Sequence, residues 1–470
     1  MARSLERAVR GLRELGGEPE FAFFVPGRVE VLGKHTDYAG GRSLLAATEW
    51  GFAFVGRKGA RRGELHLLDA GSGRDVRLSS GSSTFPGSGG PIAVAPPSDG
   101  WARYPAAVLR RVERDFPEAF PGKGRGVTVA FAGDLPPAAG MSSSSALVVG
   151  VFLSLVAGLA KEGASWGLDL QQGGGDPRSG GGSLGIEVRE RWAAYLAAVE
   201  AGRPFPGLGG PGPGKSGLRG PGLRGPGLPA PAGVGTDGGS GDHTAILAAR
   251  PGHLVRYGYL PTRFEGAVPL PRGWTFALAS SGVRAEKAGG AREAYNRMAE
   301  EARWTARIWR EETGGDEPHL GSILALSQEA RTRLEEILGG GGHARLLARF
   351  RQFATECEDL IPGAMEALGR EDLEAVGHHV ARSQALAEEV LGNQVPETVH
   401  LAGSARELGA AAASAFGAGF GGAVWALLPV GEVEGFLHRW KSDYLARFPG
   451  RAGACAFLAS PAGPPAFRIL

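Results

Sequence analysis

Apolar and polar residues alternate along this chain in a pattern that predicts strands in the first half and helices later. Apolar runs at 21–25 and 44–54 flank a charged segment, as in two strands joined by a turn, and Pro26 is expected to end the first strand. Residues 126–132 form another β-rich run, and 101–116 carries apolar residues at helical spacing. The mixture predicts an α+β fold.

The same periodicities predict the remaining elements. Residues 1–15 alternate Arg and Glu with Leu and Val, as an amphipathic helix does. Strand-like patches lie at 64–78, and strands are expected at 274–280 and 423–428. The other structured segments, mostly helices, are expected at 142–159, 187–201, 243–249, 253–260, 286–312, 321–338, 345–368, 371–391, 397–409 and 431–447.

The segment 27–41 is unusually dense in charge for its position between two apolar runs. Its acidic and basic side chains are Arg28, Glu30, Lys34, His35 and Asp37. Burying such charges is costly unless they meet partners or a polar ligand. A solvated hairpin turn is the alternative, but the apolar flanks disfavour it. The segment is therefore a candidate binding site.

Residues 133–146 form a Gly/Ala-rich turn between a predicted strand and a predicted helix. The start of a helix offers unpaired N–H groups and the positive end of its dipole, which favour phosphate. Ser142 to Ser145 add hydroxyls there, and a hydroxyl can bind Mg²⁺. No Lys lies inside the turn, so this is not a P-loop, and a simple Ser N-cap is the alternative.

Two further polar or Gly-rich segments are candidates for ligand contact. Residues 416–422 hold four glycines that permit a tight bend or close approach of a ligand to the backbone. Residues 235–247 turn from polar to helix-like, with Asp242 at the start of the helix. A carboxylate is stabilised there as an anion, although an N-capping Asp is the simpler interpretation.

Composition excludes several classes of function. The 470 residues include 51 basic and 49 acidic ones, so nothing indicates a general nucleic-acid binder. The apolar runs are shorter than a bilayer span requires, and the two cysteines, Cys357 and Cys455, have no metal-type spacing. Much of the excess of glycine, 79 residues in all, lies at 171–185 and 206–235. Because such a composition cannot bury a core, we expect 206–235 to be a disordered insertion.

In this order the motifs resemble those of the GHMP kinase superfamily, and within it the galactokinases. Residues 27–41 are similar to the galactokinase signature Gly-Arg-Val-Asn-Leu-Ile-Gly-Glu-His-Thr-Asp-Tyr, and 136–146 and 417–422 resemble the second and third superfamily motifs. Gly239-Ser-Gly-Asp-His stands where the family has Gly-Ile-Met-Asp-Gln. Ser280-Ser-Gly-Val-Arg stands where it has Asn-Ser-Asn-Val-Arg.

The resemblance implies a two-lobed α+β GHMP kinase fold. The N-terminal lobe would resemble ribosomal protein S5 domain 2, and the C-terminal lobe would be a ferredoxin-like α+β sandwich. The implied N-terminal lobe is 1–205 continued at 236–275, and the implied C-terminal lobe is 276–470. The active site would lie in the cleft between the lobes.

The resemblance also implies an ATP-dependent sugar 1-kinase that uses Mg²⁺. Asp242 would be the base or orienting group for the anomeric hydroxyl, and Arg28 would keep Asp242 ionised and stabilise the transferring phosphoryl group. The residues implied to contact the sugar are Glu30, Lys34, His35, Asp37, Gly239 and Tyr295. The residues implied to hold ATP are Pro136, Ala138, Ala139, Gly140, Met141, Ser142, Ser143, Ser144, Gly417 and Gly419, with Ser144 also on Mg²⁺.

The departures from the family pattern concern the choice of substrate. Lys34 replaces a Glu that is implied to bind the 6-hydroxyl end of the sugar, and Glu30 replaces an Asn. A Lys can donate but not accept, so it could pair with a 6-carboxylate, or Glu30 could neutralise it. The family's sugar-contacting tyrosine falls at Arg292 without gaps and at Tyr295 with a three-residue insertion, which we prefer.

We therefore expect a kinase that phosphorylates galactose or a related neutral hexose. A uronic acid 1-kinase for galacturonate or glucuronate is the alternative that Lys34 suggests. A non-catalytic sensor of sugar and ATP, or a kinase for a non-sugar alcohol, are further alternatives. We expect a cytoplasmic monomer whose partners are small molecules, with no binding to nucleic acid or membrane.

Overall fold

The computed structural model describes most of the chain, and the description below is confined to that part. The described residues are 1–59, 63–79, 100–116, 126–135, 140–159, 184–205, 233–234, 236–283 and 290–470. The expected insertion at 206–235 lies almost wholly outside these residues, as does the Gly/Ser stretch at 171–185. Pro136, Ala138 and Ala139 of the predicted ATP site also lie outside them.

Most of the predicted elements are confirmed to within about a turn of helix. The described helices are α1 (Ala2–Glu14), α2 (Arg103–Asp115), α3 (Ser143–Leu159), α4 (Leu184–Ala201), α5 (Gly241–Ala248), α6 (Gly290–Thr313), α7 (Leu320–Leu324), α8 (Gln328–Gly340), α9 (Ala344–Ala354), α10 (Ile361–Gly369), α11 (Leu373–Leu386), α12 (Pro396–Glu407) and α13 (Val433–Arg447). The described strands are β1 (Phe21–Leu32), β2 (Arg42–Gly59), β3 (Glu64–Asp69), β4 (Arg74–Ser79), β5 (Gly126–Gly133), β6 (His253–Gly258), β7 (Arg263–Pro269), β8 (Trp274–Ser280), β9 (Ala412–Phe416), β10 (Ala423–Pro429), β11 (Ala456–Ser460) and β12 (Phe467–Arg468).

The described strands form two sheets. The first has eight strands in the order β12-β1-β2-β5-β3-β4, with β6 added to β2 and β7 to β6. The second has four strands in the order β11-β8-β10-β9. The predicted α+β class is therefore confirmed, with one sheet drawn mainly from the N-terminal half and the other from the C-terminal half.

Strand β1 continues through Pro26, so the prediction that Pro26 ends it is wrong. The pairing of β1 with β2 shifts register between Pro26 and Arg28 and again between Glu30 and Leu32. Proline lacks the N–H that a regular ladder needs, and it is tolerated where a bulge interrupts the ladder. As a consequence, Arg28 and Glu30 lie in a strand and not in a turn.

Both faces of the first sheet are covered by helices. Helix α3 is apolar nearly all round because it lies between the sheet and helices α2 and α4, where Phe54, Phe152 and Trp192 share one core. On the other face, Ala8 and Leu12 of α1 pack against small residues of β2 and β5. This core fixes the N-terminal end of α3, where the phosphate motif lies.

A shared apolar cluster joins the two sheets. It contains Val29 and Leu44 from the first sheet, Phe276 and Trp425 from the second, and Leu360 from the helical segment between α9 and α10. The opposite face of the second sheet packs against α12 and α13. The relative placement of the two sheets is thus fixed by buried side chains that come from both.

Three helical predictions differ in detail from the structure. The stretch 321–338 is two helices, because Ser327 caps α8 by accepting a hydrogen bond from the N–H of Ala330. The stretches 345–368 and 371–391 each contain a π-helical turn, at Thr355–Leu360 and Ala387–Leu391. Among the described helices, none combines the length and the apolar character that a bilayer crossing needs.

Candidate functional site

A cleft of about 880 Å³ lies where the three sequence motifs meet. It is lined by residues of β1, of the N-terminal end of α3, of α5, and of the turn between β9 and β10. Gly140 and Gly417 show how closely the motifs approach, since a Cβ on Gly417 would lie 3.1 Å from the carbonyl oxygen of Gly140. Segments far apart in the sequence thus form one site.

Arg28 and Asp242 form an ion pair on the wall of this cleft. Arg28 Nε donates to Asp242 Oδ1 at 2.6 Å, and Arg28 Nη1 donates to the carbonyl of Gly140 at 2.7 Å. The guanidinium lies over the ring of Phe416, 5.4 Å from its centroid. Arg28 is only 3 % exposed, so little water screens the interaction of its charge with groups in the cleft.

Asp37 lies beside this ion pair and is held by backbone N–H groups. Its Oδ2 accepts from the N–H of Gly241 at 3.0 Å, and its Oδ1 accepts from the N–H of Tyr38 at 2.9 Å. Burial raises the pKa of Asp37, and the hydrogen bond from Gly241 opposes that rise. A Cβ on Gly239 would lie 2.3 Å from Asp37 Cγ, so the site requires glycine at 239.

His35 lines the cleft as a neutral imidazole. Its Nδ1 is 3.0 Å from the hydroxyl of Tyr38, and its Nε2 is 3.2 Å from the carbonyl oxygen of Ala418. Burial, followed by the charge of Arg349, lowers the pKa of His35 to about 3. The ring of Tyr295 also lines the cleft, with its centroid 5.1 Å from that of His35. This position favours the gapped interpretation of the sequence, with Tyr295 in place of Arg292.

Glu30 and Lys34 form no ion pair among the described residues, although the charge of each shifts the pKa of the other. Glu30 lines the cleft, and its buried Oε1 has no hydrogen-bond partner among the described residues. Burial raises the pKa of Glu30 to about 8, although Arg28 opposes the rise. Lys34 is not among the lining residues, and its Nζ donates to Ser383 Oγ at 2.8 Å. The register shift after Glu30 explains why the side chains of Glu30 and Lys34 lie in different surroundings although they are close in the sequence.

The phosphate motif presents hydroxyls to the cleft at the start of α3. Ser142, at φ 60°, has a buried Oγ without a hydrogen-bond partner among the described residues, and Ser143 and Ser144 also line the cleft. The side chain of Met141 is buried in the apolar core, so only its backbone is available. Gly417 lines the cleft, whereas Gly419 packs against Asn393 and does not.

Sequence reasoning missed Glu200, which lies near the end of α4 and lines the cleft. Its Oε2 accepts from Ser145 Oγ at 2.9 Å and lies 3.2 Å from Nε2 of His243. A carboxylate and a hydroxyl are oxygen donors of the kind that Mg²⁺ prefers. The described residues hold no group of three His, Cys, Asp or Glu side chains that could ligate a metal ion. No motif marks Glu200 in the sequence.

The far end of the cleft is aromatic, which the sequence analysis also missed. Phe52, Trp101, Tyr104 and Phe131 line it, and the Trp101 and Phe131 ring centroids are 5.8 Å apart. Flat aromatic surfaces of this kind suit a planar base. In the sequence, Trp101 is indistinguishable from any apolar residue on the inner face of a helix.

Family models match three parts of the chain. The galactokinase galactose-binding signature matches residues 13–58. The GHMP kinase N-terminal domain matches residues 103–171, and the GHMP kinase C-terminal domain matches residues 364–446. These ranges include the charged segment and the phosphate motif.

Curated relatives are similar over part of their length. The galactokinase of Halalkalibacterium halodurans is 32 % identical over 27 % of this chain and 28 % of its own length. Human galactokinase is 33 % identical over 33 % of this chain and 37 % of its own length. The aligned part of the chain therefore spans about a third of these relatives.

Solved structures are similar over nearly the whole chain. Lactococcus lactis galactokinase complexed with galactose has a TM-score of 0.69 at 19 % identity and covers 97 % of this chain and 98 % of its own. Methanococcus jannaschii mevalonate kinase has a TM-score of 0.50 at 10 % identity and covers 95 % of this chain and 99 % of its own. At these identities the likeness concerns the fold, and it confirms the fold class that the motifs predicted.

Proposed function

We propose that this chain, which belongs to the GHMP kinase superfamily and is galactokinase-like, is an ATP-dependent kinase that phosphorylates the anomeric hydroxyl of galactose or a related hexose. The observation that carries the proposal is the ion pair between Arg28 and Asp242, which lines one cleft with the phosphate motif. Phosphoryl transfer depends mainly on positioning and on neutralising charge, and this arrangement offers both.

In the proposed mechanism, Asp242 accepts a hydrogen bond from the anomeric hydroxyl and takes its proton as the oxygen attacks the γ-phosphorus. The bond between the γ-phosphorus and the β,γ-bridging oxygen breaks, and ADP leaves. The contact with Arg28 favours the ionised form of Asp242 before transfer. Arg28 also carries the positive charge that stabilises the transferring phosphoryl group. Its hydrogen bond to Gly140 fixes the guanidinium in this orientation.

The phosphates of ATP are proposed to bind at the start of α3. The N–H groups of the first turn and the hydroxyls of Ser142, Ser143 and Ser144 would surround the phosphate oxygens. Mg²⁺, when bound, would neutralise phosphate charge, and Ser144 or the pair Ser145 and Glu200 would hold it. The aromatic end of the cleft would receive the adenine base.

A neutral sugar suits the reacting end of the cleft better than a sugar acid. Glu30, Asp37 and Asp242 line that end, and Arg28 is ion-paired with Asp242. A substrate carboxylate would meet the like charge of Asp242 there, whereas Glu30, with its raised pKa, would contribute little negative charge at neutral pH. The uronic acid alternative depended on Lys34, whose ammonium group is hydrogen-bonded to Ser383 and is not part of the cleft lining.

The test is a panel of sugars offered with ATP and Mg²⁺. We expect ADP formation with galactose or another neutral hexose and at least about tenfold lower kcat/KM with galacturonate and glucuronate. Glucose and mannose in the same panel identify the stereochemistry of the preferred hexose. Preferred turnover of a uronic acid would contradict the neutral-sugar proposal, and absence of turnover with every sugar would contradict the kinase proposal.

A further inference from the structure

Lys34 belongs to a closed, buried network that includes Ser383 and Glu356. Lys34 Nζ donates to Ser383 Oγ at 2.8 Å, and Ser383 Oγ donates to Glu356 Oε1 at 2.5 Å. The other carboxylate oxygen, Glu356 Oε2, accepts from the N–H of Gly33 at 2.9 Å. Lys34 is 1 % exposed, and Ser383 and Glu356 are fully buried. The network thus starts and ends at adjacent residues of one loop.

The two charges of this network depend on each other. Burial lowers the pKa of Lys34, and the negative charge of Glu356 opposes that effect. Removing one partner of a buried ion pair leaves the other charge uncompensated, which costs far more than removing both. The pair is bridged by the Ser383 hydroxyl, so all three side chains are needed for the geometry.

One face of the helical segment around α9 holds residues 33–35 of the loop. Arg349, Gln352 and Glu356 follow at helical spacing, and all are buried. Arg349 Nη2 donates to the carbonyl of His35 at 2.6 Å, and Gln352 Nε2 donates to the carbonyl of Lys34 at 3.2 Å. The loop therefore receives fixed partners at three successive residues, 33, 34 and 35.

We propose that Lys34 is a positioning residue that acts through Glu356 and Ser383 and does not touch the sugar. The network fixes the loop that carries His35 and Asp37, and this inference rests on the proposed function, in which those two side chains bind sugar hydroxyls. The charge that departs from the galactokinase pattern at position 34 thus has its partner in a helix of the C-terminal half.

The test is a double-mutant cycle with Lys34→Met and Glu356→Gln. We expect each single variant to raise the KM for the sugar roughly tenfold, because a small shift of the loop misplaces His35 and Asp37. The double variant should raise it no more than the worse single variant, because neither charge is then left alone. The KM for ATP and the order of preference among hexoses should stay unchanged. Lys441→Met, at an exposed lysine of α13, is the matched control.

Two additional measurements keep the inference open to contradiction. Ser383→Ala keeps both charges and removes only the bridge, so it serves if the charge variants fold poorly, and a rise in the KM for the sugar is expected there too. The same cycle is measured on the unfolding equilibrium constant, where the double variant should again be less affected than the product of the singles. The inference would be overturned if the effects of Lys34→Met and Glu356→Gln multiplied independently both in the KM for the sugar and in the unfolding equilibrium constant. A changed hexose preference in Lys34→Met would also overturn it. An inactive wild type with a coupled unfolding cycle would overturn the proposed function alone.

Discussion

The Arg28 side chain joins the two parts of the proposed chemistry at the scale of single residues. One edge of its guanidinium contacts Asp242, and Nη1 contacts Gly140 of the phosphate motif. Arg28, His35 and Asp37 stand out in the sequence because so much charge between apolar runs requires partners or a ligand, whereas Asp242 stands out as an acidic residue at a helix start and through the family resemblance. Each of these side chains lines the cleft.

The surroundings of Glu30 and Lys34 could not be predicted in the same way. Spacing along a strand tells which face a side chain takes only while the register is regular, and β1 shifts register after Glu30. The partners of Lys34, Ser383 and Glu356, lie more than three hundred positions later in the chain. No local sequence pattern predicts a contact between residues so far apart in the chain.

The pH dependence of stability tests the state of Glu30. Its pKa is raised from 4.5 to about 8, so the folded protein keeps a proton that the unfolded chain loses. The associated stability is complete below pH 4.5 and is lost as the pH rises through about 8. We expect the free energy of unfolding of the wild type, relative to Glu30→Gln, to fall over this window by at most about 1.4 kcal/mol per pH unit.

Urea unfolding of the two proteins between pH 5 and pH 9 measures this difference directly. Glu434→Gln, at an exposed position of α13, is the control and should run parallel to the wild type. Parallel curves for Glu30→Gln would mean that Glu30 is ionised in the folded protein and that the burial of its Oε1 has no such consequence.

At the scale of elements, the glycines of the site act by allowing segments to approach. The segment before α5 passes so close to Asp37 that a methyl group at 239 would meet both its carboxyl carbon, at 2.3 Å, and the N–H nitrogen of Tyr38, at 2.6 Å. The sequence marked this segment by its polar and Gly-rich character. The reason for each glycine, however, is a contact with another element.

Gly239→Ala should therefore act on the sugar and not on ATP. We expect the KM for the sugar to rise roughly tenfold or more, because Asp37 must move, while the KM for ATP changes by less than about twofold. Steady-state kinetics with each substrate varied in turn measures both values. Gly403→Ala, in α12 with nothing within 4 Å, is the control and should leave both unchanged. Equal effects of the two variants would contradict this account of Gly239.

Helices and strands were predicted well where the pattern of apolar residues is strong. They were predicted poorly where tertiary contacts decide whether an element forms and where it ends. Helix α3 and strand β8 follow from continuous apolar runs bounded by turn residues. Strand β9, Ala-Ala-Ser-Ala-Phe, has little β propensity and exists because β10 pairs with it. The split between α7 and α8 depends on one capping hydroxyl, that of Ser327.

At the scale of the whole molecule, the cleft exists because two sheets share one apolar cluster. Phe416 shows the connection, since it is buried in that cluster and also lies under the guanidinium of Arg28. The motifs predicted which segments take part, but the sequence gives no distance between them. Glu200 and the aromatic end of the cleft were missed because their significance appears only when the segments are assembled.

The central claim is that this assembly transfers the γ-phosphate of ATP to the anomeric oxygen of a neutral hexose through Asp242. Its most direct test is ³¹P NMR of the product that the wild type and Asp242→Asn form from ATP, Mg²⁺ and the preferred hexose. We predict a sugar phosphate whose phosphorus couples to the anomeric proton, formed at least about 100-fold more slowly by Asp242→Asn. Both proteins should bind ATP and sugar. Phosphate on another hydroxyl, equal rates for the two proteins, or a wild type that binds both ligands and transfers nothing would contradict the claim.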